Sequence, residues 1–148
     1  MTVELEVQRA ASGGGLPSDA DFLAWVEVAL ADRPEAMLTI RIVGLEESRS
    51  LNRRYRDRDA PTNVLSFAAE LPPDIGLPLL GDIVICAPLV DAEARAQGKP
   101  VGEHWAHLTV HGVLHLLGHD HQQADEAEIM EALEVRLLAG LGIADPYA

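Results

Sequence analysis

Apolar and polar residues alternate at the start of the chain and then fall into helical spacing, and the two periods trade places along all 148 residues. Val3-Glu4-Leu5-Glu6-Val7-Gln8 has period two and predicts a strand. Ala11 to Pro17, with three consecutive glycines, reads as a loop. Ser18 is a good N-cap, and Phe22, Leu23, Val26, Ala29 and Leu30 follow on one helical face until Pro34 closes the helix. Met37 to Val43 predicts a second strand. Glu46 to Tyr55 predicts a helix with Leu45 and Leu51 inward and its arginines outward. After a polar turn at Asp57 to Pro61, Thr62 to Phe67 reads as a third strand. Glu70 to Leu80 holds Pro72, Pro73, Gly76 and Pro78 and is expected to be a loop. Asp82 to Cys86 is almost continuously apolar, as in a strand buried on both faces.

Pro88 suits the first turn of a helix ending at Gly98. Gly102 to Leu117 predicts a long helix, stopped by Gly118. Gln123 to Ala139 predicts a last one with Ile129, Leu133, Leu137 and Leu138 on its apolar side. Asp125, Glu126 and Glu128 stand near its N-terminus, where the helix dipole favours acids. No repeat or linker interrupts this order. The expected fold is α+β, a single domain over residues 1–148, with about four strands in a mixed sheet and helices packed on it.

Composition narrows the class. The apolar fraction of 48% and charged fraction of 24% are ordinary for a globular protein. No apolar run approaches the ~20 residues that span a membrane, and the acidic N-terminus does not read as a signal peptide. One cysteine, Cys86, excludes an internal disulfide, which fits a reducing cytoplasm. A net charge of -13 argues against non-specific binding to nucleic acid, yet five of the eleven basic residues crowd into Arg49, Arg53, Arg54, Arg56 and Arg58. From residue 59 onward three basic residues face fourteen acids. The chain is acidic with one local basic patch, which alone reads as a solvated helix face.

The histidines change the picture. His104, His107, His111 and His115 fall within about 80° on a helical wheel, a single stripe of imidazoles. His111 and His115, four apart, lie one above the other, and His121 follows Gly118 at three residues, where a turned chain could return it to them. Three imidazoles suit one Zn2+ ion per chain and leave its fourth position open, a catalytic arrangement. Were the helix to continue, His119 would be the third ligand. Gly118 argues that it stops, which favours His121 and leaves His119 as a substrate contact. His-x-x-x-His-x-x-Gly-x-x-His is also the ligand frame of metzincin proteases. Those carry a glutamate base after the first histidine; here that position is Gly112.

His111-Gly-Val-Leu-His115-Leu-Leu-Gly-His-Asp-His121 resembles the signature of the YbeY family of bacterial zinc-dependent endoribonucleases. The resemblance continues in order through Tyr55-Arg56, Pro61 to Phe67, Leu80 to Cys86, Gln97 to Pro100, His104-Trp105-Ala106-His107 and Asp145-Pro146-Tyr147. Family members commonly have tyrosine where this chain has His119. The resemblance implies an α+β fold and cleavage of single-stranded ribosomal RNA, chiefly at the 3′ end of the small-subunit RNA. A part in ribosome quality control, with the small ribosomal subunit as partner and neither DNA nor membrane, also follows. It further implies that Arg56 is functionally required.

On that reading zinc at His111, His115 and His121 supplies hydroxide or polarises a phosphoryl oxygen, and Arg56 offers a charged fork for a phosphate. The catalytic candidates are Arg56, His111 and Asp82. Asp82 opens a buried strand and either orients a ligand histidine, handles a proton or caps a turn. Arg53, Arg54, Asn63, Ser66, His107 and His119 are candidate substrate contacts. An aromatic content of 4% leaves little for base stacking. Two other readings stay open: a metzincin-like peptidase or other hydrolase, and a non-catalytic assembly factor with a closed structural metal.

Overall fold

A computed structural model describes residues 2–12, 15–31, 33–72, 74–119 and 122–148. Among these residues four strands and five helices follow in the order β1 (Thr2–Arg9), α1 (Asp19–Leu30), β2 (Glu35–Val43), α2 (Leu45–Arg56), β3 (Val64–Ala68), β4 (Leu79–Cys86), α3 (Ala87–Gln97), α4 (Val101–Leu116) and α5 (Ala124–Gly140). The sheet order is β1-β2-β4-β3. β1 with β2 and β2 with β4 are parallel, while β3 closes the edge antiparallel to β4. This is the mixed sheet and α+β architecture expected from the pattern.

Local chemistry explains most boundaries. Ser18 and Asp21 form a reciprocal capping box: the Asp21 amide donates to Ser18 Oγ and the Ser18 amide to Asp21 Oδ2. Strand β3 starts two residues later than expected, because Thr62 is drawn into a turn by Ser48. The Ser48 hydroxyl donates to the Thr62 carbonyl at 2.7 Å and accepts the Thr62 amide at 2.9 Å. Strand β4 starts earlier than expected: Leu79 and Leu80, read as loop, continue it across an irregularity opposite Met37 and Leu38.

Pleating splits the sheet into two faces. Leu38, Ile40, Ile42, Ile83 and Ile85 join the main core with Phe22, Val26, Trp105, Val110, Val113 and Leu114 of α1 and α4. On the opposite face Val43, Leu65, Val84 and Cys86 form a smaller cluster with Leu51 and Phe67. Ile83 to Cys86 are therefore buried from both sides, as expected. Two inward assignments fail. Leu45 is 47% exposed, because as the first residue of α2 it precedes the turn that meets the sheet. Ile129 is 63% exposed, because α5 buries Met130, Glu134 and Leu138 with Leu133 and Leu137 partly buried against the core, an arc that leaves Ile129 outside.

Two glycines fix how α4 sits. A Cβ on Gly112 would lie 2.9 Å from Ile83 Cγ2, so the bare backbone is what lets the helix approach β4. Gly118, at φ +100, reverses the chain after Leu117. Its amide donates to the His115 carbonyl and the His119 amide to the Leu114 carbonyl, the paired bonds of a Schellman ending. The helix thus stops before His119, so His119 does not lie one helical turn beyond His115.

Candidate metal centre

The four histidines of α4 lie along one stripe, with successive ring centroids 6.2, 6.3 and 4.7 Å apart. They have different partners. His104 is buried and its Nε2 lies 2.9 Å from Glu93 Oε1 of α3. Asn63 Nδ2 donates to the same carboxylate at 3.0 Å. Asn63, Glu93 and His104 thus tie the entry of β3 to two helices. His107 has a side chain only 12% exposed; its Nε2 lies 3.2 Å from the Tyr147 hydroxyl and its Nδ1 is buried. Asn63 and His107 are both half-buried and engaged by protein partners.

His111 and His115, one turn apart, form the closest pair. Behind His111 stands Glu134 of α5, fully buried, with its Oε1 2.5 Å from His111 Nδ1. Tyr147 donates its hydroxyl to the second oxygen, Oε2, which also lies 3.6 Å from His107 Nε2. Burial by itself would raise the carboxyl pKa. Hydrogen bonds from His107, His111 and Tyr147 overcome it and hold the group at about 2, so Glu134 is ionised. The Tyr147 phenol is pushed well above its ordinary range, first by burial and then by its bond to Glu134.

The chemistry of this pair fits a metal ion. An ionised carboxylate only accepts hydrogen bonds, so the proton of His111 sits on Nδ1 and Nε2 is the basic nitrogen. Among the described residues no group of three or more His, Cys, Asp or Glu side chains converges as a complete ligand set. The third expected ligand, His121, lies outside the described residues.

The fold places Asp82 on the face turned away from α4. It is exposed, on the sheet face that carries Val84 and Cys86, and lines a groove of about 550 Å³ with Arg41, Tyr55 and Phe67. Its neighbour Ile83 is the residue that faces α4 at Gly112. A carboxylate does stand behind a histidine, as the sequence led one to seek, but it comes from α5. Glu134 is detectable in the sequence as the one acid in the row Met130, Glu134 and Leu138. A buried acid on such a row needs partners.

The arginine patch also sorts itself. Arg49 is paired with Asp59 through two bonds of 2.7 and 3.0 Å, whereas Arg53 and Arg54 are exposed on α2. The exposed Arg56 donates from Nη2 to the Ser66 carbonyl at 2.9 Å, and its guanidinium lies 5.1 Å from the centre of the Phe67 ring. Tyr55 meets Phe67 edge to face, with the Arg54 guanidinium 5.3 Å from the Tyr55 ring centre. The chain is poor in aromatics, but two of its six gather here beside arginines. Ser66 is turned inward, its hydroxyl donating to the Gly112 carbonyl at 3.1 Å. That bond joins the Arg56 side of β3 to the residue following His111.

Comparison with known proteins bears on this arrangement. The solution structure of TM1509 from Thermotoga maritima has the same fold, with a TM-score of 0.58 at 21% identity over 95% of this chain and 97% of that one. The Endoribonuclease YbeY of Alkalilimnicola ehrlichii is 60% identical over 151 aligned residues, spanning 98% of this chain and 91% of that protein. The family model described as Endoribonuclease YbeY matches residues 19–142. With that match and that identity along nearly its whole length, the chain belongs to the endoribonuclease YbeY family.

Proposed function

We propose that this chain is a zinc-dependent endoribonuclease that cuts single-stranded ribosomal RNA, above all near the 3′ end of the small-subunit RNA. Its 148 residues act as one cytoplasmic domain in ribosome maturation and quality control. Family membership supports the RNA substrate. The observation that carries the metal reading is the buried Glu134 carboxylate on His111 Nδ1, with the His115 ring 4.7 Å from that of His111. A carboxylate in that place orients an imidazole for a metal and raises its basicity. His111 and His115 would hold the ion together with His121, one ion per chain. When bound, zinc supplies a Lewis acid and lowers the pKa of water to near ~7.

The chain's own groups do the rest. The bonds of Arg56 to the Ser66 and Tyr55 carbonyls engage two of its five N–H donors. The guanidinium is thereby anchored while still able to take phosphate oxygens at the strand edge. Arg53 and Arg54 would meet neighbouring phosphates, and His119, just past the Gly118 turn, stands as a further substrate contact. Asn63, Ser66 and His107 serve the frame. Asp82, across from Phe67 on the face turned away from α4, does not reach His111 and stays a candidate proton handler on the Arg56 side of the sheet. A metzincin-like peptidase is disfavoured: position 112 faces Ile83, so no base there could reach a substrate.

Metal-loaded protein should cut single-stranded RNA carrying a small-subunit 3′ end and spare the same sequence in a duplex. Cleavage should vanish with a chelator, with His111→Ala and with Arg56→Glu, while far-UV dichroism is retained. Chelator-resistant cleavage by His111→Ala would overturn the assignment.

A further inference from the structure

We propose that Glu134 and Tyr147 form a positioning unit for His111, so that docking of the C-terminal segment sets the zinc affinity of the site. This rests on the proposed metal site. Glu134 is fully buried, and an isolated charge there is costly. Its two oxygens are divided between two jobs: Oε1 fixes His111 Nδ1, and Oε2 takes the Tyr147 hydroxyl. The carboxylate plane is therefore set from both ends. Among the described residues, loss of the phenol would leave Oε2 with only His107 Nε2, at 3.6 Å, and free the group to rotate away from His111.

The phenol comes from the penultimate residue of the chain, and the segment carrying it is pinned independently. Lys99 Nζ donates to the Pro146 carbonyl at 3.0 Å, and the Tyr147 amide donates to Asp145 Oδ1 at 2.8 Å. The Tyr147 ring also meets the His107 ring edge to face at 5.4 Å. Tail docking and imidazole orientation are thus linked through a single carboxylate. Neither Glu134 nor Tyr147 touches substrate; both act through His111.

Two measurements test this on the full chain. Zinc affinity is measured by chelator competition for the wild type, Tyr147→Phe and Glu134→Gln. The His111 ring tautomer is read by nitrogen-15 NMR on the metal-free proteins. Glu134→Gln should weaken zinc binding by about 10- to 100-fold, the usual effect of removing a group behind a metal ligand. Tyr147→Phe keeps the ring packing and should cost roughly the lower end of that range, with the Nδ1–H tautomer of His111 giving way to a mixture. Unchanged affinity and tautomer in both variants would overturn the proposal. Wild-type protein that binds no zinc would overturn the metal reading and the affinity claim with it. A tautomer shift in metal-free Tyr147→Phe would still uphold the positioning link by itself.

Discussion

Ser66 and Gly112 are joined across the boundary between sheet and helix, the serine hydroxyl donating to the glycine carbonyl at 3.1 Å. The Ser66 carbonyl meanwhile accepts from Arg56. One residue of an edge strand therefore sets the spacing between the basic strand edge and the histidine helix. Ser66→Ala removes the hydroxyl link and should cost about 1 kcal/mol of stability. Cleavage should fall through kcat with little change in KM, since the phosphate contacts themselves survive. Denaturant melts and steady-state kinetics together check both parts.

Gly112 is a packing residue. Gly112→Ala drives a methyl against Ile83 Cγ2 and Cδ1 at 2.9 and 3.1 Å and should cost about 1–3 kcal/mol. In an Ile83→Ala background the same change should cost much less, because the colliding atoms are gone. Additive losses in that double-mutant cycle would show that the glycine serves something other than close approach. Gly112→Glu should fail to fold stably and should not gain peptidase activity.

Arg56 is exposed, so its replacement should leave the fold intact. Arg56→Lys keeps the charge and loses the planar fork. If the fork grips a phosphate through charge-assisted bonds, cleavage should drop by about 10- to 100-fold, the equivalent of ~1.5–3 kcal/mol. A lysine variant with wild-type kcat/KM would mean that charge alone matters.

The patch around it is unequal. Arg49 is already paired with Asp59, whereas Arg53 and Arg54 face solvent. Arg53→Gln or Arg54→Gln should each reduce the salt slope of single-stranded RNA binding by about 0.7, and Arg49→Gln by clearly less. Binding isotherms at several salt concentrations separate the cases.

Asp59 also predicts a small pH effect. Its hydrogen bond to Arg49 is the main reason its carboxyl lies below the ordinary value of 3.8. A carboxyl lowered on folding contributes stability above its unfolded value and loses it as pH falls through the folded one. Asp59→Asn should therefore flatten the stability curve only in the acid limb below about pH 4, and high salt should shrink the difference.

Elements with a clean period are legible in the order of residues alone. Strand β1, the capped α1 and the long α4 ending at a glycine follow from alternation, helical spacing and local capping. The boundaries of β3 and β4 are not, because distant partners set them: Ser48 takes Thr62 out of the strand, and pairing with β2 extends β4 backward. The inner face of α5 keeps the expected Leu133, Leu137 and Leu138 but takes Met130 in place of Ile129; both are apolar, and only packing chooses between them.

The sequence by itself determined the α+β order, the imidazole stripe, the glycine stop and the basic stretch, all of which are carried by neighbours within a few positions. Tertiary structure alone decided which carboxylate stands behind His111. Strand pleating sends Asp82 to the far face, while the packing of α5 and the return of the C-terminal segment bring Glu134 and Tyr147 to the near one. Those residues lie 23 and 36 positions from His111, and no short-range period can encode a contact that exists only once three separate segments have packed.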